Sequence, residues 1–442
     1  MLAATTFETL WRVLLLQDHN TRVVLAGSCV FGAAAGLVGT FLLLRKRSLM
    51  GDTLGHATLP GIAGAFLIAI TIGANARSFL WLSIGAAISG IAGMLAVLGI
   101  RRFSRIKDDA ALAIVLSVFF GTGVALLSAI QQLPGGQAAG IEGFIYGNTA
   151  SMTAQDAGFI FASSLFVVVA CLAFFKEFSI LCFDEAFAAT TGWPVRSLDL
   201  FLMSLIVLVT VIGLQSVGIL LVVALLVIPP VAARFWSDNL RVVAFLAAII
   251  GADSALVGVV VSAVLPKMPT GAIIVLVAAT IFTFGLLFGS RRGVVIQLLA
   301  ERRVASRLRS EHMLRAVYEC AENASPSVDL GAIIHKRPWQ KKEVLSEIHR
   351  LANAELLTLA ADGLKVQLTN LGLIEARRLV RNHRLWELYL LNHADVAPGR
   401  VDRDADMIEH VLDPRLVDEL EVLLAMEGHR RFVPLDPEKL PS

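Results

Sequence analysis

Long uncharged runs fill the first two thirds of the chain. Residues 23–44, 79–100, 110–130, 158–175 and 242–265 are each about the length a helix needs to cross a bilayer. Four shorter or Gly/Pro-interrupted runs, 59–72, 201–213, 217–232 and 273–287, count as spans because neighbouring helices can satisfy a broken backbone. The pattern predicts about nine transmembrane helices. After Gly289 it changes: charge is dense from Arg291 onward, and a basic stretch at 302–310 leads into shorter periodic segments. Residues 312–321, 330–334 and 341–352 have helical spacing, and 355–369 alternates apolar and polar positions around Asp362-Gly363, a hairpin or wing signature. Helical periodicity returns at 371–392 and 404–426. The expected fold is an all-α polytopic membrane bundle at 1–290, a basic linker at 291–309, a winged helix-turn-helix at 310–370 and a helical domain at 371–442.

Composition narrows the class. Of 442 residues, 56% are hydrophobic and 17% charged, too apolar for an ordinary soluble enzyme. A net charge of +2 gives no global basic surface for nucleic acid. Cys29, Cys171, Cys182 and Cys320 are scattered without CxxC pairing and read as packing residues. No basic n-region or A-x-A site precedes the first span, so no cleaved signal peptide is expected. Basic residues occupy alternate loops: Arg45, Lys46 and Arg47; Arg101, Arg102, Arg105 and Lys107; Lys176 and Arg196; Arg234 and Arg241; Arg291 and Arg292. With nine spans this places the N-terminus outside and everything after Arg291 in the cytoplasm.

Few residues in the membrane half can carry chemistry. His56 follows Asp52 by four residues at the head of the second span, so both side chains share one helix face. A carboxylate oxygen and an imidazole nitrogen there can hold one divalent ion; the other reading is a helix-start Asp with a hydrogen-bonded His. Asp253, deeper in the eighth span, either faces the same path or pairs with a hydroxyl. In the soluble half, Asp406, Glu409 and His410 share a helix face, and His383 stands four residues before Glu387 on the preceding helix. These are either oxygen and nitrogen metal ligands or a charged solvated face. No Walker motif occurs in the sequence.

The segment Leu49-Met-Gly-Asp-Thr-Leu-Gly-His56-Ala-Thr-Leu-Pro-Gly61, following a basic cluster, resembles the signature of the zinc, manganese and iron class of ABC importer permeases. Gly147-Asn148, Ser216-Val-Gly218, Leu225-Leu-Val-Ile-Pro-Pro230-Val-Ala-Ala233-Arg234 and Pro269-Thr-Gly271 extend the likeness over residues 20–290. The resemblance implies a permease dimer, homo- or heteromeric, over separate ABC ATPase subunits. It also implies an extracytoplasmic metal-binding protein that delivers the ion, and a place in the bacterial cytoplasmic membrane. Asp52 and His56 would line the ion path. Asp184-Glu185-Ala186-Phe187, continuing to Gly192, looks like the short coupling helix that docks into the ATPase.

From His312-Met-Leu-Arg-Ala-Val-Tyr-Glu319 through Leu368-Thr-Asn-Leu-Gly372 and Arg381-Asn-His383-Arg-Leu-Trp-Glu387 to Asp406-Met-Ile-Glu409-His410, the chain is similar to the iron- and manganese-dependent repressors of the diphtheria-toxin-repressor class. That similarity implies metal ligation by His312, His383, Glu387, Asp406, Glu409 and His410. Two positions depart from it: Arg315 stands where manganese-type members carry a carboxylate, and Asp402 where iron-type members carry a histidine. The segment His335-Lys-Arg-Pro-Trp-Gln-Lys-Lys342 is basic, but Trp339 and Gln340 replace the small hydroxyl residues of that family's DNA-reading helix. Metal sensing is therefore favoured over DNA binding. Together the resemblances imply an importer permease for manganese, zinc or iron with a cytoplasmic metal-sensing domain. The rival readings are a membrane-tethered metal-dependent transcription regulator and a permease for a metal chelate.

Overall fold

The computed structural model describes residues 19–73, 79–132, 154–264, 268–323, 327–336, 339–360 and 364–393, together with 415, 417, 419, 420 and 422. The chain forms two compact units, Met1–Gln297 and Leu298–Ser442.

The first unit is a helical bundle: α1 (His19–Leu44), α2 (Met50–Ala57), α3 (Leu59–Ile72), α4 (Phe79–Phe103), α5 (Asp108–Gln131), α6 (Ala154–Ala173), α7 (Phe175–Phe183), α8 (Glu185–Thr190), α9 (Val195–Val217), α10 (Ile219–Arg234), α11 (Leu240–Val264) and α12 (Thr270–Phe288). Helix α1 is central, packed against α6, α10 and α11, with Phe31, Val38 and Phe41 fully enclosed. The Gly32-to-Gly36 spacing sets how closely it meets α11. A Cβ on Gly32 would lie 2.3 Å from the Gly251 carbonyl oxygen, and one on Gly36 2.2 Å from that of Ala247. With little hydrophobic drive between helices in lipid, this small-residue seam lets the backbones touch.

Eight helices among the described residues are long and apolar enough to cross a membrane, against the nine expected. The run expected at 217–232 is instead the 16-residue α10. It is cut from α9 at Gly218, whose φ of 84° favours glycine, and it contains Pro229 and Pro230. The second span also differs. It begins at Met50 rather than at residue 59, because α2 and α3 run on as one 23-residue apolar stretch through Thr58. Thr58 donates its hydroxyl to the Gly55 carbonyl at 2.6 Å, and Pro60 occupies the first turn of α3, where a missing N–H costs nothing. Asp52 and His56 therefore lie inside a span.

Helix α13 (Val294–Asn323) runs from the first unit into the second. There follow β1 (Ser327–Asp329), α14 (Leu330–Lys336), α15 (Lys341–Asn353), β2 (Leu357–Leu359), β3 (Lys365–Leu368) and α16 (Asn370–His393). The second unit is thus not purely helical: three short antiparallel strands form one sheet in the order β1-β3-β2, with Val328 opposite Val366 and Leu359 also paired to Val366. The tip at Asp362-Gly363 lies outside the described residues. Met313, Leu314 and Val317 of α13 close a core with Ile333, Val344, Ile348, Leu351, Leu357 and Val366. Helix α15 starts with a capping box, Gln340 and Glu343 each meeting the other's backbone N–H.

Candidate functional site

Asp52 and His56 sit one turn apart on α2. The Nε2 atom of His56 lies 3.4 Å from Oδ1 of Asp52, and the two side chains are 23% and 36% exposed. Two donors bound to one ion at about 2.1–2.2 Å are about 3.1 Å apart at an octahedral angle and about 3.4 Å apart at a tetrahedral one, so the pair is close to the spacing of one edge of a coordination shell. The other ring nitrogen, Nδ1, is buried and has no hydrogen-bond partner. The imidazole meets Phe120 of α5 edge to face, with centroids 4.9 Å apart. The ring is thus held by an aromatic contact, and no hydrogen bond at Nδ1 fixes which nitrogen carries the proton. Two donors would grip an ion weakly, which suits passage.

Asp253 is exposed on α11, beside Cys29 of α1 rather than beside the Asp52–His56 pair. Among the described residues no three His, Cys, Asp or Glu side chains converge as a metal-holding group. The four cysteines form no disulfide. Burial pushes the Cys182 thiol up to about 12, which keeps it unreactive.

Next to this pair lies an ionic network that sequence patterning used only for orientation. Arg45 donates to the Leu181 carbonyl at 2.9 Å, to Glu185 at 3.0 Å and to Asp199 at 2.9 Å. Arg47 donates to Asp199 at 2.9 Å and lies 3.5 Å from Asp108, which accepts from Arg101 at 2.8 Å. Both Arg45 and Arg47 side chains are nearly enclosed. The network ties the α1–α2 corner, five residues before Asp52, to the starts of α5, α8 and α9. The sequence signal was partial: Asp108 and Asp199 each stand near the start of an apolar run beside a basic residue of their own loop, Lys107 and Arg196, and nothing along the chain names Arg45 or Arg47 as the partner.

The segment likened to a coupling helix is α8. Asp184 caps it, accepting from the Phe187 N–H at 2.8 Å, and Gly192 closes it with a φ of 86°. Phe187 is 57% exposed, and Glu185 is held from behind by Arg45. Ala186 is exposed as well.

In the second unit, His383 of α16 is buried, and its neighbours include one that the resemblance does not imply. Arg315 of α13 places Nη1 2.7 Å from His383 Nδ1, and its Nε lies 3.2 Å from Glu319. The other ring nitrogen of His383 faces Glu387 at 3.6 Å. His383, whose Nε2 faces the carboxylate, holds Glu387 below its usual range; burial opposes this, and the charges of Arg315 and Arg384 add to it. His312 lies three residues before Arg315 on α13, half-buried. Asp402, Asp406, Glu409 and His410 lie outside the described residues, as do Gly147-Asn148.

Comparison with known proteins places both halves. Residues 17–289 match the ABC 3 transport family, and residues 369–429 match the iron dependent repressor metal binding and dimerisation domain. The chain is 36% identical over 437 residues to the manganese transport system membrane protein MntC of Bacillus subtilis, covering 98% of each. It is 40% identical over 291 residues to the zinc transport system membrane protein TroC of Treponema pallidum, covering 66% of this chain and 96% of TroC. Among solved structures it is similar to PsaBC from Streptococcus pneumoniae in complex with Fab, with a TM-score of 0.55 and 29% identity, over 66% of this chain and 97% of that one. The chain belongs to the ABC 3 transport family, as the multi-pass membrane permease subunit of an ABC transport system, and carries a C-terminal domain of the iron dependent repressor type.

Proposed function

We propose that this permease imports a divalent transition-metal ion, manganese first, with zinc and iron as the other candidates, and that Asp52 and His56 hold the ion in transit. The observation that carries the reading is the carboxylate–imidazole pair at 3.4 Å inside a span, with the second ring nitrogen unpartnered. Ionisable groups at membrane depth are costly and mark ion pathways. The relatives named for manganese and zinc transport support the choice of cargo, and a hard oxygen donor beside one imidazole favours manganese over softer ions.

In this reading the short α10 crosses as a ninth pass, so the N-terminus faces outward and the unit beginning at residue 298 lies in the cytoplasm. A second permease, the same chain or another, completes the path, and an extracytoplasmic protein delivers the ion. An ABC ATPase docks on α8 against the exposed Phe187. ATP binding and hydrolysis then move α8, and the Arg45–Asp199–Arg47 network carries that motion to the corner before α2. Asp253 of α11, beside Cys29, is not assigned to the path.

We read residues 310–370 as a winged helix and 371–442 as a dimerising, metal-binding domain that regulates transport. Asp406, Glu409, His410 and His312 are its proposed ligands, and DNA is not its favoured partner. The deciding measurement is uptake of radiolabelled manganese by an Asp52→Ala, His56→Ala double variant of the assembled transporter. Uptake at the level of a strain lacking the chain supports the reading, and uptake equal to wild type rejects it. A chelate permease would take up its cargo without competition from free manganese, and a tethered transcription regulator would bind a specific operator through residues 298–442.

A further inference from the structure

We infer that Arg315 is a resident cation standing where a metal ion would cross-link His383 and Glu387, so that this half of the repressor-like site is blind to metal. The inference rests on the repressor-type match of the C-terminal region and is independent of the transport reading.

The chemistry begins with the guanidinium. Arginine is permanently charged and has only donors. With its Nη1 2.7 Å from His383 Nδ1, that ring nitrogen must accept, since a proton on it would oppose an N–H at hydrogen-bond distance. A neutral imidazole accepting at Nδ1 carries its single proton on Nε2, the atom 3.6 Å from the Glu387 carboxylate. The one lone pair a neutral histidine offers a metal is therefore spent on Arg315, and the remaining nitrogen is protonated and turned towards Glu387. A metal could ligate His383 only after the guanidinium left, and Arg315 is 3% exposed, with a second attachment to Glu319 at 3.2 Å. The residues at this place do not fit a metal ion.

The replacement still does mechanical work. A metal bridging α13 and α16 would join them only when loaded. The chain of contacts from Glu319 through Arg315 and His383 to Glu387 joins the same two helices with no ion, its charges alternating negative, positive, neutral and negative. Arginine at the position where the manganese-type repressors carry a carboxylate turns a switchable bridge into a permanent one. Any metal response of the domain then belongs to other groups.

The test counts manganese(II) bound per full-length chain in detergent, by equilibrium dialysis and elemental analysis. Wild type, His383→Ala and Glu387→Gln are expected to bind equal amounts; Glu387→Gln keeps the test informative where loss of the buried imidazole impairs folding. Arg315→Glu is expected to bind one further equivalent, to show a higher Tm with manganese than without, and to lose both effects when combined with His383→Ala. The inference is overturned if His383→Ala or Glu387→Gln binds one ion fewer than wild type, or if Arg315→Glu remains folded and gains none. None of these outcomes depends on uptake, so they are separable from failure of the transport reading.

Discussion

Among the described residues two histidines stand four residues before or after a carboxylate on one helix face, and tertiary structure gives them opposite fates. His56 meets Asp52 at 3.4 Å, rests on Phe120 and keeps Nδ1 unpartnered. His383 meets Glu387 at 3.6 Å and has Nδ1 taken by Arg315. The spacing that makes a ligand pair is the same in both. What differs is the third neighbour, a neutral ring in one case and a fixed cation in the other, and in the proposed reading that neighbour decides whether an ion can enter.

The sharpest way to break the comparison is to exchange those neighbours. Phe120→Arg would set a guanidinium beside His56, as Arg315 sits beside His383. A unit charge 4 Å from a divalent ion costs on the order of 8 kcal/mol at an effective dielectric of about 20, and solvent screening still leaves a few. Manganese uptake should fall by about 100-fold or more with the permease present at normal levels in the membrane. Uptake near wild type would show that the ring's surroundings do not control ion entry.

A second substitution separates the paired charges of the membrane unit from the unpaired ones. Asp199→Ala leaves Arg45 and Arg47 nearly enclosed without the carboxylate they share, a loss of about 3–5 kcal/mol for a broken buried pair. The expected result is a lower Tm of the purified protein. An unchanged melt would mean that the network carries no structural load.

Phe120→Ala tests the ring as a support alone. Losing an edge-to-face contact costs about 0.5–1.5 kcal/mol, which corresponds to a drop in apparent affinity for transported manganese of about 2- to 10-fold, read from uptake against concentration. The smallest effect belongs to the pair in the second unit. Glu387 is held below its unfolded pKa, so its contribution to stability is fully present above the ordinary carboxylate value, about 4.3, and is lost as the pH falls through the lowered folded value. The Tm advantage of wild type over Glu387→Gln should therefore shrink as the pH is lowered through that window, and a constant difference would remove the carboxylate from the account.

Much of the molecule was legible along the chain because its physics is local. Apolar length marked eight of the spans, and the Asp362-Gly363 alternation foretold the pairing of β2 with β3. The two counts differ at one short helix, where a single glycine matters. Gly218 looks like any other small residue in an apolar run, yet its positive φ divides α9 from a short α10. The start of the second span was misplaced for a similar reason: whether Thr58 ends a helix or passes it on depends on where its hydroxyl donates.

The sequence by itself determined that the chain spans a membrane, changes character near residue 290, and presents carboxylate–imidazole pairs at helical spacing, since each follows from periodicity and residue type. Only the tertiary structure decided which nitrogen of each imidazole remains available, how Asp199 is shared by Arg45 and Arg47, and that Arg315 reaches His383. Those outcomes depend on side chains 68 to 154 residues apart meeting within 3 Å, and no local pattern encodes a distance of that kind.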